Sequence, residues 1–355
     1  MPFLLSPLRR RSTLAGGLAA ALLVVLTGCG ASEAVPQASD GPPAGEGTTT
    51  YPVTLQNCGH EVTVDEAPRR IVSLDQNSTE ILLSLGLADR MVGTASWTDP
   101  VLPRLAADAE RVPRLSDDAP SYEVLLGARP DFVTASFGRH YGQGGVATRE
   151  RLAETGTGSY LSPTDCDGDV SINGGGKRTN ALTVDALYQE IHELATLFDV
   201  QSRGDALVAD LRERAAAATG STDFGGQRAF FWFADTKTPY VAGGLGSAAL
   251  LAEQTGLRNV FATSRDDWPA VGWEQVVAAD PEVIVLGDLQ RDRFPGDRLA
   301  DKVAFLEHDP LTKDLDAVRH HRFVALHGAE LNPSIRFVDG LEKLADWRAE
   351  HGDDS

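Results

Sequence analysis

Two glutamates occupy matching settings far apart in the chain. Tyr122-Glu123 heads a short helical pattern and leads to Pro130-Asp131 and an apolar run; Trp273-Glu274 heads another and leads to Pro281-Glu282 and an apolar run. A glutamate in a first helical turn is favoured by the helix dipole by about 0.3 to 1 kcal/mol without any partner. The duplication adds something the dipole does not explain: one acid at the same place in each of two related halves, which describes a paired docking surface. A second signal is the set of aromatic and basic residues directly after apolar runs: Ser96-Trp97, Phe137-Gly138-Arg139-His140-Tyr141, Trp232, Tyr240, Arg265 with Asp267-Trp268, and His327 to Arg336. Aromatic rings supply flat apolar contact, and arginine supplies forked donors to carboxylate, phosphate or chelate oxygens. Arg139, Arg265 and Arg336 near aromatics in so acidic a chain predict an anionic, partly planar ligand. Trp232 follows Phe230-Phe231 and fits a core as well as a cleft, and Arg336 also fits a surface or helix-capping role.

Catalysis and metal binding are the weaker readings. Ser73, Asp75, Asp267, His327 and Glu330 are the groups that acid-base or nucleophilic chemistry would use, but no Gly-x-Ser-x-Gly turn accompanies them, and Gly243 to Gly246 lacks the Lys-Ser/Thr of a phosphate loop. His60, His140, His192, His308, His320, His321 and His327 are scattered, without the spacing of a structural zinc site. Haem held through His140, Tyr141 or His327, or bare zinc or manganese, is the residual metal option. The expectation is a binding protein, not an enzyme, with no metal or cofactor of its own.

Residues 1 to 28 read as a targeting segment: Arg9 to Arg11, an apolar core from Leu14 to Leu26, and a Leu-Thr-Gly-Cys end that resembles the bacterial lipobox, with Cys29 as the lipidated residue. Its apolar core of about 13 residues is too short to span a bilayer. The segment's three arginines and no acids take the formal charge from −19 for the whole chain to −22 for the remainder, which argues against a nucleic acid or anionic lipid surface as partner. With Cys29 lipidated, Cys58 and Cys166 remain and predict a disulfide in an exported chain; a free-thiol or metal role is the alternative. Residues 29 to 50, rich in Gly, Pro, Ala, Ser and Thr, read as a flexible tether.

The elements that must position these side chains alternate. Strands are predicted at Arg70 to Leu74, Met91-Val92, Phe132 to Ala135 and Tyr160-Leu161, with Asn77 and Glu80 resembling a capping pair ahead of Ile81 to Leu85. Asp165 to Asn180 lacks periodicity. Leu182 to Phe198 and Ser202 to Ala218 are helical, the second a rod of about 25 Å that can link two lobes. Strands at Ala229 to Phe233, Val283 to Leu286 and Phe323 to Leu326, a helix from Ser247 to Gln254 and a closing helix from Arg336 to Trp347 repeat the scheme. Alternation of this kind implies right-handed crossovers and a largely parallel sheet. The domains are therefore 51–181, a helical segment 182–220, 221–347, and a polar tail 348–355.

The lipobox, Pro68 to Leu74, the Thr79-Glu80-Ile81-Leu82 helix, Leu85-Gly86, Glu123 to Val133, the bridging helix and Trp273 to Leu286 resemble the substrate-binding proteins of iron-siderophore and cobalamin ABC importers, over about Tyr51 to Trp347. The resemblance implies an α/β fold of two Rossmann-like lobes with largely parallel sheets, joined by one long bridging helix, and a metal chelate or corrinoid held between them. It further implies that Glu123 and Glu274 dock onto arginines of an ABC permease dimer with its ATPase, at the extracytoplasmic face of the membrane. In such a fold the ligand contacts fall to Trp97, Phe137, Arg139, His140, Tyr141, Trp232, Tyr240, Arg265, Trp268, His327 and Arg336. The Tyr51 to His60 start with Cys58, Cys166 and Gly243 to Ser247 more distantly resembles actinobacterial binding proteins linked to import of a deazaflavin coenzyme precursor. Ferric siderophore, cobalamin, haem and deazaflavin-type ligands all remain open, as does a tethered scaffold or sensor without transport.

Overall fold

The computed structural model describes residues 47–291 and 293–352; the targeting segment, Cys29 and most of the tether lie outside the described residues. A hairpin of Val53–Asn57 and His60–Val64 precedes the first lobe. The first lobe's sheet holds five strands in the order Arg114–Ser116, Met91–Ala95, Ile71–Ser73, Phe132–Ala135, Gly158–Leu161, every pair parallel. Ile71, Val72, Phe132 and Val133 are buried, so both faces of the sheet are covered. Strands covered on both sides read as unbroken apolar runs, which is why the sequence shows them clearly.

The second lobe repeats this with the order Tyr240–Val241, Arg228–Ala234, Val283–Asp288, Phe323–His327, and with Arg258–Asn259 on the central strand Arg228–Ala234. Only Tyr240–Val241 runs antiparallel. Alternate residues of Arg228–Ala234 enter different cores: Ala229 and Phe231 pack with Leu251, Leu326 and Leu341, while Phe230 and Trp232 pack with Trp273 and Leu306.

The bridge is Gln201–Gly220, whose 20 residues span about 30 Å. Val208 and Leu211 lie in the first lobe's core and Ala218 in the second's. Arg214 pins the bridge to the last helix by bonds to Glu342 at 2.8 and 2.7 Å and to Asp339 at 2.5 Å. Among the described residues, no helix is long and apolar enough to cross a membrane.

Four expectations shift. The helix Gln76–Ser84 is capped by Asp75, which accepts from Ser78 N at 3.0 Å, not by Asn77 with Glu80; Glu80 is buried and paired with Arg336. Thr48 and Thr49, assigned to the tether, bond to Gln201, Asp199 and Thr196, so the folded body begins before Tyr51. The closing helix runs Phe337–His351, beyond Trp347, because the His351 ring stacks on Trp347 at 4.4 Å and Arg348 donates to Asp223 O at 3.1 Å. The aperiodic stretch after Asp165 contains a two-residue β pair, Cys166–Asp167 with Val170–Ser171, and the predicted Cys58–Cys166 disulfide is present at its root.

Candidate functional site

The carboxyl ends of the first lobe's strands are organised by two buried acids. Asp75 caps Gln76–Ser84, and its second oxygen accepts from Ser136 N at 2.7 Å, which joins the helix start to the end of Phe132–Ala135. Asp165 accepts from Gly138 N at 3.0 Å, Ser171 Oγ at 2.6 Å and Asn173 Nδ2 at 2.5 Å. Burial raises the Asp165 pKa, and these donors oppose the rise. Gly138 is required where these loops close, since a Cβ there would sit 1.7 Å from Ser171 Oγ.

Above these acids Arg139 lies over the Phe137 ring at 4.1 Å. Its side chain opens onto the cleft yet has protein on most sides. That desolvation lowers its pKa, Asp75 and Asp165 raise it, and Arg291 of the other lobe lowers it again. His140 is buried with Nε2 3.7 Å from Asp75 Oδ2. Burial pulls its pKa down to about 4 against the attraction of Asp75, so the ring is neutral near pH 7.

The second lobe contributes the loop after Val283–Asp288. Arg291 stands with Nε 3.4 Å from Asp297 Oδ2 and its guanidinium 5.6 Å from the Phe233 ring centre, and Arg293 pairs with Asp118 of the first lobe. Trp268 tilts against Phe233 at 4.6 Å. Asp267 accepts from Arg178 Nε at 2.8 Å, another contact between the lobes.

Two cavities lie between these walls. The outer, about 890 Å³, is lined by Trp97, Arg114, Asp118, Arg139, His140, Arg291 and Arg293 among others. The inner, about 190 Å³, is lined by Phe137, Asp165, Asn173, Arg178, Asp267, Trp268 and Asn332 among others. Ser96, Thr98, Arg139, Arg291 and Arg293 belong to both, so the arginines of the two lobes meet where the cavities join. The outer volume is that of a small-molecule site, and its walls favour an anion.

Of the sequence candidates, Trp97, Phe137, Arg139, His140 and Trp268 come together here. The others are placed elsewhere. Tyr141 turns under the sheet, its hydroxyl bonded to Val133 O at 3.0 Å and Tyr160 O at 3.1 Å. Trp232 is wholly buried against Trp273, 4.8 Å away, because its strand alternation points it into the core. Tyr240 packs on Phe294 at the sheet edge, and Arg265 is exposed outside both cavities. His327 lies 4.0 Å from Asp99 Oδ1. Arg336 is a strut beneath the cleft, donating through Nε to Glu80 at 2.7 Å, through Nη2 to Glu80, and to Pro100 O at 2.5 Å. Burial lowers the Arg336 pKa, but the bonds and charge of Glu80 outweigh this and raise it. Sequence reasoning missed Arg114, Arg178, Arg291 and Arg293. The signal for the last two was available: basic residues in the loop just beyond the strand end at Asp288.

Glu123 and Glu274 are both exposed in the first turns of Tyr122–Gly127 and Trp273–Ala279. Their aromatic neighbours anchor them: Trp273 is buried and donates to Thr236 O at 2.7 Å, and Tyr122 is half-buried beneath Arg151, 3.7 Å from the ring centre. The Glu123 carboxyl is held below its ordinary pKa by its own backbone N–H and then by the Ser121 hydroxyl. Among the described residues, no cluster of three or more His, Cys, Asp or Glu has a metal-holding arrangement.

Known proteins share this plan. A vitamin B12-binding protein of Vibrio parahaemolyticus serotype O3:K6 (strain RIMD 2210633) is 25% identical over 221 residues, 62% of this chain and 71% of that protein. A periplasmic binding protein from Veillonella parvula superposes with a TM-score of 0.70 at 25% identity, covering 83% of this chain and 96% of the other. The structure of an ABC-type Fe3+-hydroxamate transport system from Saccharomonospora viridis gives 0.68 at 28% identity, covering 84% and 99%. The family described as Periplasmic binding protein matches residues 71–330, and the chain, a two-lobed α/β protein with a bridging helix, belongs to it.

Proposed function

We propose that this protein is the extracytoplasmic substrate-binding lipoprotein of an ABC importer, tethered through Cys29, and that it captures a small anionic chelate or cofactor, a ferric siderophore before the others. The observation that carries this reading is the facing of Arg139 and Arg291 from opposite lobes at the junction of the two cavities. Two guanidiniums that face each other repel, and an anionic group between them turns that repulsion into two attractions. Such a ligand would tie the lobes together. The rings of Trp97, Phe137 and Trp268 would supply flat contact beside it. Iron, corrin or haem enters this scheme as cargo inside the ligand.

Delivery would use Glu123 and Glu274, exposed on anchored helices outside the cavities and so able to meet a permease while the cleft is occupied. A thermal-shift panel of ferric siderophores, cobalamin, haem and deazaflavin compounds tests capture: ligand at 100 times its dissociation constant adds about 2.7 kcal/mol. One responding anionic class supports the reading, and no response from any class would overturn it. With that ligand, Glu123→Ala combined with Glu274→Ala should leave affinity unchanged and abolish uptake; uptake at the unsubstituted rate would remove the docking role.

A further inference from the structure

The loop that brings Arg291 and Arg293 to the cleft closes on a buried cation. Lys302, on the helix Leu299–His308, has no exposed surface. Its ammonium donates to three backbone oxygens: Gly287 O at 2.6 Å, Asp297 O at 3.2 Å, and Gly296 O. Three donors meet three acceptors, so the group is saturated. The Asp297 carboxylate turns the other way. It accepts from Arg293 N at 2.8 Å and Phe294 N at 3.0 Å, with the same oxygen 3.4 Å from Arg291 Nε. Leu289 N donates back to Asp297 O at 2.9 Å. Gly296, at φ +81°, supplies the left-handed turn that brings its carbonyl to the ammonium.

We infer that Lys302 is a positioning residue for ligand capture: it pins both ends of the loop, at Gly287 and at Gly296-Asp297, and so holds Asp297 beneath Arg291 and sets that guanidinium opposite Arg139. An apolar side chain of similar length would fill this space, where Nζ lies 5.5 Å from the centre of the Trp232 ring, without the desolvation cost of a charge. What the ammonium adds is a directional tie between three points of one loop. The consequence for binding rests on the cleft reading above; the tie itself does not.

The tie has a pH limit. Burial lowers the Lys302 pKa to about 8, against the attraction of Asp297 and Asp288, with Arg291 pushing the same way as burial and Asp301 of its own helix opposing. Above about pH 8 the amine keeps two donors for three carbonyls, and the loop loosens. Global stability responds with the opposite sign to this local change. The folded value lies below the ordinary 10.5, so between about 8 and 10.5 the unfolded chain binds more protons and the titration adds stability as pH rises.

The test is amide exchange at Leu289, Arg293 and Phe294 in the whole protein, with titration of inorganic pyrophosphate as an anionic probe. Lys302→Met should speed exchange at these amides by about tenfold at pH 7, leave the bridging helix unchanged, and weaken pyrophosphate about tenfold. In the unsubstituted protein, exchange corrected for its intrinsic pH dependence should rise above about pH 8. Lys302→Arg, which stays charged, should remove that rise. Unchanged loop exchange in Lys302→Met, a loss of protection spread over the whole molecule, or equal pyrophosphate affinity in both proteins would each overturn the inference. If the loop responds while the unsubstituted protein binds no pyrophosphate, the tie stands and the anionic-cleft reading falls.

Discussion

The two lobes share a frame and hold their cleft arginines by different means. In the first, Arg139 stands over Asp75 and Asp165, acids that also cap a helix and gather the backbone of two loops, and the Cys58–Cys166 disulfide starts one residue beyond Asp165. In the second, Arg291 stands beside Asp297 on a loop held by noncovalent ties: the Lys302 ammonium, the Asp297 carboxylate that accepts from Arg293 N and Phe294 N, and the Arg293–Asp118 pair. One wall is cross-linked covalently, the other by hydrogen bonds and ion pairs. The covalently cross-linked wall suits a fixed receptor, and the noncovalently tied wall suits the element that adjusts to a ligand.

The largest break in this contrast is removal of the covalent tie. Cys58 sits in the turn of the N-terminal hairpin and Cys166 at the root of the loop that carries Asn173 and Arg178 to the inner cavity, 108 residues later in sequence. In the chain-entropy account, closing a loop of that length is worth about 4 to 5 kcal/mol. Cys58→Ser with Cys166→Ser should therefore lower urea-unfolding stability by that amount, and amide exchange should rise around 165–180 well before it rises around 288–298. Equal loosening of both loops would dissolve the distinction between the walls.

A smaller effect separates the lobes by pH. Glu190, on Val184–Leu197, is buried with Ser162 Oγ donating to it at 2.5 Å, and burial raises its pKa to about 8. Its folded value lies above the ordinary 4.5, so its contribution to stability is complete below about pH 4.5 and is lost as pH rises toward 8. Glu190→Gln should then add on the order of 3 kcal/mol at pH 8 and nothing at pH 4.5, read from urea curves across pH. His140 slopes the other way: its folded value lies below 6.5, so stability falls as pH drops from 6.5 toward 4. Glu190 packs on Ser162 of the first lobe and His140 lies within that lobe, and both change stability below about pH 8, whereas Lys302 changes it between about 8 and 10.5. A flat Glu190→Gln difference across this range would show that the carboxyl is charged throughout.

The sequence revealed the frame more fully than the site, for physical reasons that particular residues make plain. Runs such as Ile71 to Leu74 and Val283 to Leu286 are covered on both faces, so composition alone marks them. Asn77 with Glu80 matched a capping pattern, but the acid at Asp75 does the capping, and Glu80 is fixed by Arg336 from a part of the chain no local pattern reaches. The hairpin Val53–Asn57 with His60–Val64 was missed although Val53-Thr54-Leu55-Gln56 and Val62-Thr63-Val64 alternate apolar with polar residues, the period of a half-buried strand. In the cleft, Phe137 to His140 was legible because it follows a strand end directly. Tyr141 belonged to the same cluster and Trp232 fitted core or cleft alike; a turn and a strand aimed both away from the cavities. Arg291 was passed over because the strand Val283–Asp288 runs two residues further than its apolar run, which moves the strand end up to the arginines.

The finest test asks whether the two walls act on one ligand group. If the anion lies between Arg139 and Arg291, each charge-assisted bond is worth about 1.5 to 3 kcal/mol, and either single alanine substitution should weaken binding by that much. The substitutions should not add. With Arg139 gone the ligand can recentre on Arg291, so the second loss differs from the first, and a double-mutant cycle by calorimetry should give a coupling of about 1 kcal/mol. The sign carries the information. A double loss larger than the sum of the singles means that either arginine alone can hold the group. A double loss smaller than the sum means that the two must close on it together, so that removing one already forfeits the other, as expected if the noncovalently tied wall moves to meet the fixed one. Strict additivity would assign the arginines to separate ligand groups and leave the lobes to bind side by side.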